Sequence, residues 1–158
     1  MSYADTVLNR FWNGYLPVDV NLIANQLGIE VRFLDQNELH LIGQASLENG
    51  QRVIYINPTD SLVRQRFTLS HELAHHILNH VTHETPCFRD LRHSFNGDDK
   101  SLKERDANRL GAEILMPEYA IRHSIDKENI RTIENLAVKF NVSEQAMYYR
   151  LKDLNLIR

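Results

Sequence analysis

The stretch Arg64-Gln65-Arg66-Phe67-Thr68-Leu69-Ser70-His71-Glu72-Leu73-Ala74-His75-His76-Ile77-Leu78 decides how this chain is read. It holds no glycine or proline. Leu62, Phe67, Leu69, Leu73, Ile77 and Leu78 supply apolar contacts, so a long helix is predicted from about Ser61 to His80. Residues four apart on a helix lie about 40° apart around its axis. His71 and His75 then share a face and can grip one metal ion, the H-E-x-x-H arrangement. Glu72 sits about 100° from His71. It is free to act on a metal-bound water instead of ligating.

Two imidazoles do not complete a catalytic zinc site, which normally has three protein ligands and an open position. A third histidine six residues past His75 is excluded, because position 81 is Val81. A second central helix is predicted over about Leu102 to Met116, opened by Glu104-Arg105-Asp106-Ala107 and halted by Pro117. Glu104, Ala107, Asn108 and Gly111 fall broadly on one face. The small Ala107 and Gly111 let this helix approach the histidine helix closely and hold Glu104 near the metal. Asp106 is the rival carboxylate, on another face, so the two cannot both serve.

The remaining histidines and the cysteine have plainer readings. Five of the eight histidines (His71, His75, His76, His80 and His83) lie within 13 positions. His76 and His80 are also four apart but lack a glutamate after the first, and read as surface or second-layer residues. Asn108 and nearby acidic groups are candidate acceptors for the outer ring nitrogens of the ligands. Tyr119, His80, His83 and His93 are candidates for a further oxyanion donor. Cys87 is the single cysteine. It cannot form an intrachain disulfide, and it reads as an inert thiol.

Composition bounds the rest. At 158 residues and 18.5 kDa, with 42% hydrophobic and 25% charged residues, the chain is about one ordinary globular domain. The net charge of −3 does not suit a protein that binds nucleic acid through bulk charge. The opening Met1 to Tyr15 contains Asp5 and Arg10 and no apolar run, so no signal peptide is read. No stretch approaches the roughly 20 apolar residues of a membrane span. A cytoplasmic location and no membrane partner are expected.

Around the central helices the order of elements is helices, a small sheet, then helices to the end. A helix is predicted over Ala4–Trp12. A second is capped by Asp19, buries Val20, Ile23, Ala24 and Leu27, and stops at Gly28. Strands are predicted over Ile29–Leu34, within Leu39–Leu47 and over Arg52–Ile56. Asn49-Gly50 makes a hairpin of the last two. Residues 83–101 show no clear periodicity and are expected to form a loop. Helices are predicted over Glu128–Phe140 and Ser143–Leu154. The fold class is therefore α+β and helix-rich, with a small, mostly antiparallel three-stranded sheet.

The combination of blocks is similar to the ImmA/IrrE family of zinc metallopeptidases. Ile54-Tyr55-Ile56-Asn57-Pro58 leads into the histidine helix. Glu104-Arg105-Asp106-Ala107-Asn108 leads into Leu115-Met116-Pro117, and Leu136 to Met147 looks like the family's C-terminal helices. The resemblance covers about residues 17–157. Departures are mild: Ala74 stands where Gly is common, and Gly111 where Ala is common. The resemblance implies a zincin-like domain with zinc on His71, His75 and Glu104 and the general base on Glu72. It implies a metalloendopeptidase that cleaves a repressor-like transcription factor, often encoded beside it in a phage, mobile element or stress-response operon.

The domain division expected is a peptidase core over 1–120 and a helix-turn-helix-like segment over 121–158, packed on the core. Glu144, Gln145, Tyr148 and Lys152 would face outward from its second helix, with Arg150 nearby. The basic excess there is thin for phosphate contacts, so packing or protein docking is favoured over direct DNA binding. The alternative function is a DNA- or protein-binding regulator with a structural zinc site.

Overall fold

The computed structural model describes residues 1–91 and 100–158. Two short helices open the chain, α1 (Tyr3–Phe11) and α2 (Val20–Gln26). Ser2 and Asp5 form a capping box on α1. The Asp19 carboxylate accepts the Leu22 N–H at 3.0 Å to start α2, and Gly28 ends it at φ +75°. Val20, Ile23 and Ala24 are buried, as their spacing predicts.

The sheet has four strands: β1 (Glu30–Phe33), β2 (Leu41–Glu48), β3 (Gln51–Ile56) and β4 (Cys87–Leu91), in the order β1-β3-β2-β4. Asn49 and Gly50 both take positive φ, 51° and 80°, which is what a two-residue hairpin turn between β2 and β3 requires. β1 runs parallel to β3, while β2 is antiparallel to β3 and to β4. The sheet therefore differs from the three strands expected. The fourth lies inside the stretch read as a loop, and residues 92–99 of that stretch lie outside the described residues.

The long helix α3 (Leu62–Ile77) follows β3, capped by the Ser61 hydroxyl. It packs one face on β2 and β3 and another on α4 (Lys100–Leu115). Leu69, Leu73 and Ala74 are buried at this junction, each leucine contributing about 1.5–3 kcal/mol on burial. The approach of α4 to α3 is close. A Cβ at Gly111 would lie 3.1 Å from the His71 backbone nitrogen, and the Ser70 hydroxyl donates to the Gly111 carbonyl at 2.7 Å.

Three helices complete the chain: α5 (Glu118–Asp126), α6 (Ile133–Phe140) and α7 (Glu144–Asp153). Thr132 and Ser143 cap the last two, and Asn141 turns between them at φ 52°. Leu136, Ala137, Phe140, Met147 and Leu151 join one apolar cluster with α1 to α4. Two arginines tie the ends together. Arg66 on α3 donates to the carbonyls of Val18 and Asn141, and Arg150 on α7 donates to Met116 at 3.0 Å. No helix among the described residues is long and apolar enough to cross a membrane.

Candidate metal centre

The second half of α3 is buried from Thr68 to His76, and it delivers His71 and His75 to the same point. Their Nε2 atoms lie 3.2 Å apart. From α4, Glu104 brings one carboxylate oxygen to 3.0 Å from His71 Nε2 and the other to 3.3 Å from His75 Nε2. From β4, Asp90 Oδ2 lies 2.8 Å from His71 Nε2. The ligand atoms of His71, His75, Asp90 and Glu104 all lie within 4.8 Å of one another.

This donor set fits a metal ion. Atoms bound tetrahedrally to zinc at about 2.0–2.2 Å sit about 3.3–3.6 Å from each other. The spacings here, 2.8–3.3 Å, are at or slightly below that range, and nitrogen and carboxylate donors suit zinc. Without a cation the cluster carries strain of charge. Burial pulls the His71 imidazole down, but the Asp90 and Glu104 carboxylates overcome it and push His71 up to about 9. Burial also raises the Asp90 carboxyl, and hydrogen bonds from the Glu72 carboxyl and from His71 more than reverse this, so the net direction is downward. A divalent ion would hold the carboxylates ionised and the imidazoles neutral.

Glu72 lies beside the cluster without joining it. Its side chain is fully buried, and no N–H or O–H among the described residues donates to either carboxylate oxygen; the group it faces is the Asp90 carboxylate. Burial first, and a proton shared with the facing Asp90 carboxylate second, push its pKa well above the usual carboxylate range. A buried polar group that no donor reaches costs about 1–3 kcal/mol.

The wider comparison agrees with the geometry. Residues 24–152 match the peptidase M78 family model, described as the IrrE N-terminal-like domain. The chain belongs to that family. One relative is the radiation response metalloprotease IrrE of Deinococcus radiodurans, 27% identical over 136 residues. The aligned region is 84% of this chain and 39% of that relative, so this M78 member spans about two fifths of its relative's length.

Within this family member the two rival carboxylates separate cleanly. Glu104 is in the cluster, whereas Asp106 is exposed on another face of α4. Asp90 is the residue that sequence reasoning missed. Cys87, on the same strand, stays out of the cluster, its thiol pushed up by burial. The partner of the His75 outer nitrogen is His80, with Nδ1 atoms 2.9 Å apart, where Asn108 had been the candidate. His76 is a buried residue rather than a surface one. Its Nε2 lies 3.0 Å from the Val53 carbonyl oxygen, and burial lowers its pKa to about 4. Of the oxyanion candidates, Tyr119 and His83 are exposed, His80 is engaged with His75, and His93 lies outside the described residues.

Proposed function

We propose that this chain is a zinc-dependent metalloendopeptidase that cleaves a repressor-like regulatory protein in the cytoplasm. In this reading His71, His75 and Glu104 hold the ion and Glu72 is the general base. A bound zinc ion supplies Lewis-acid activation of water and of the scissile carbonyl. Glu72 accepts the proton of the attacking water and passes it to the leaving nitrogen. His71 and His75 hold their positions through the rigid buried turn of α3, and His80 orients His75. The peptidase core is assigned to 1–120, and the helical segment 121–158 is assigned a packing or docking role.

The observation that carries this reading is the fully buried carboxylate of Glu72, which no N–H or O–H donor among the described residues reaches, next to four converging metal donors. A purely structural ion gives that carboxylate nothing to do. The relative's name supports a regulatory setting, because it is called a radiation response metalloprotease.

One feature favours the alternative of a regulator with a structural ion. Four protein donors converge, and closed four-ligand sets are typical of structural zinc. Direct DNA binding gains less support, since Arg150 is buried against Met116 and does not reach the outer face of α7. The deciding experiment compares new protein N-termini in the native host expressing wild type or Glu72→Gln at equal levels, resting and stressed. A terminus seen only with wild type is expected, and it names the substrate and the bond. Identical termini in both states, with zinc bound, would overturn the peptidase reading.

A further inference from the structure

β4 reaches the metal cluster with one face. Phe88 and Asp90 are two residues apart and point the same way. The Phe88 ring stacks on His75, with centroids 4.8 Å apart and planes 23° apart. Asp90 Oδ2 lies 2.8 Å from His71 Nε2. Across the strand pair they face Ala45 and Gly43 of β2, whose small side leaves them room.

We propose that Asp90 is a fourth protein ligand that closes the metal site, and that β4 is a displaceable strand seated where an extended peptide substrate would pair with β2. This rests on the peptidase reading above and names the regulation of the same site.

Coordination is the first argument. With His71, His75 and Glu104 as ligands, one position remains for water or the scissile carbonyl. Asp90 points into that remaining space. A divalent ion with two carboxylates and two neutral imidazoles is electrically neutral. Remove Asp90 and the site regains a positive charge, which a developing oxyanion needs.

Access is the second argument. Glu72 and His75 are fully buried and His71 is 6% exposed, and β4 lies against both histidines through Phe88 and Asp90, so a peptide cannot reach them without movement of the surrounding chain. A groove of about 1950 Å³ runs past Ile42, Thr68, Arg105 and Asn108 but includes no member of the cluster. It stops short of the site that a substrate has to enter.

The third argument is the way β4 is held. It has five residues and sits at the sheet edge, with β2 as its neighbour strand. The pairing shifts register between Leu41 and Gly43, opposite Leu91 and Asp90, so the ladder is irregular beside the metal ligand. An extended peptide can reproduce such main-chain bonds by strand addition. Exchange of β4 for substrate would then withdraw Asp90 and admit the scissile bond in one movement.

The test uses the full chain loaded with Co²⁺ and acetohydroxamate as the probe of an open position. Wild type is expected to resist the probe. Asp90→Ala and Asp90→Asn are expected to bind it at least about tenfold more tightly, with altered visible cobalt bands and metal release to a chelator at least about tenfold faster. A second arm locks the strand. Ser46 and Cys87 are opposite partners in β2 and β4 and, being adjacent to the hydrogen-bonded Leu47–Pro86 pair, form a non-hydrogen-bonded pair, the kind whose side chains come closest. In Ser46→Cys, oxidation is expected to weaken probe binding and slow its entry, and reduction to restore both. Identical spectra and probe affinity in wild type and both Asp90 variants would overturn the ligand assignment. Equal probe binding by oxidised and reduced Ser46→Cys would overturn the displacement. Neither readout depends on cleavage, so a failed search for Glu72-dependent proteolysis would strike the peptidase reading separately.

Discussion

Gly43 and Glu72 are fitted to each other across the β2–α3 interface. A Cβ on Gly43 would stand 3.0 Å from Glu72 Oε1, 3.1 Å from the Tyr55 carbonyl oxygen and 2.5 Å from Thr68 Cγ2. The glycine therefore clears the space in which the glutamate carboxylate sits. Gly43→Ala is expected to displace that carboxylate while leaving the ligands in place. Overpacking of this kind costs about 1–3 kcal/mol of stability. A shift of about 1 Å in a catalytic group costs about a hundredfold in rate. Zinc content near wild type with kcat down by about that factor is the expected outcome. Unchanged kcat would mean the glutamate does not depend on this gap.

Gly111 performs the matching service for the donor cluster. Its missing side chain lets α4 come within contact of the Ser70 and His71 backbone, which brings Glu104 to the two histidines. Gly111→Val cannot be absorbed by a flexible side chain, because the atoms it meets are backbone. The helices are expected to separate, with about 1–3 kcal/mol of stability lost and weaker zinc binding. Chelator competition and thermal denaturation measure both. Zinc affinity equal to wild type would detach Glu104 from the helix spacing.

These two contacts explain why the centre of the fold was legible. The histidine pair, the adjacent glutamate and the small residues of α4 follow helical periodicity, and a period of 3.6 fixes which residues meet. β4 follows no such rule. Its inward residues are Phe88 and Asp90, because the strand covers a polar cluster rather than apolar core. Alternation of apolar and polar residues therefore fails there. The remaining signal is weak: a phenylalanine and an aspartate two apart, just past Pro86. The parallel β1–β3 pairing was equally hidden, since a period of two says nothing of which distant strand lies alongside or in which direction. The order of helices was legible, while α6 begins at Ile133 rather than Glu128 because Thr132 supplies the cap.

His80 controls the outer side of His75. Their Nδ1 atoms are 2.9 Å apart, so the partner fixes which nitrogen of His75 carries the proton and leaves Nε2 aimed at the metal. His80→Ala is expected to lower zinc affinity by about 10–100-fold with the fold retained. Competition against a chromogenic chelator reads this directly, and circular dichroism checks the fold. No change in affinity would assign the contact to packing alone.

In the proposed mechanism Glu104 holds the ion and Glu72 moves the proton, so their variants are expected to fail in opposite ways. Glu104 meets both histidines, so Glu104→Ala removes a ligand and should reduce zinc retention. Glu72 meets none of the ligand nitrogens at hydrogen-bond distance, so Glu72→Gln should keep zinc. Ligand binding to the folded state raises its stability in proportion to affinity. Zinc is therefore expected to raise the Tm of wild type and Glu72→Gln, and to raise that of Glu104→Ala much less. Cleavage should fall about 10²–10⁴-fold in Glu72→Gln, the span of general-base catalysis, despite a full zinc site. Zinc loss in Glu72→Gln would make Glu72 a ligand, and undiminished zinc binding in Glu104→Ala would move the third ligand to Asp90.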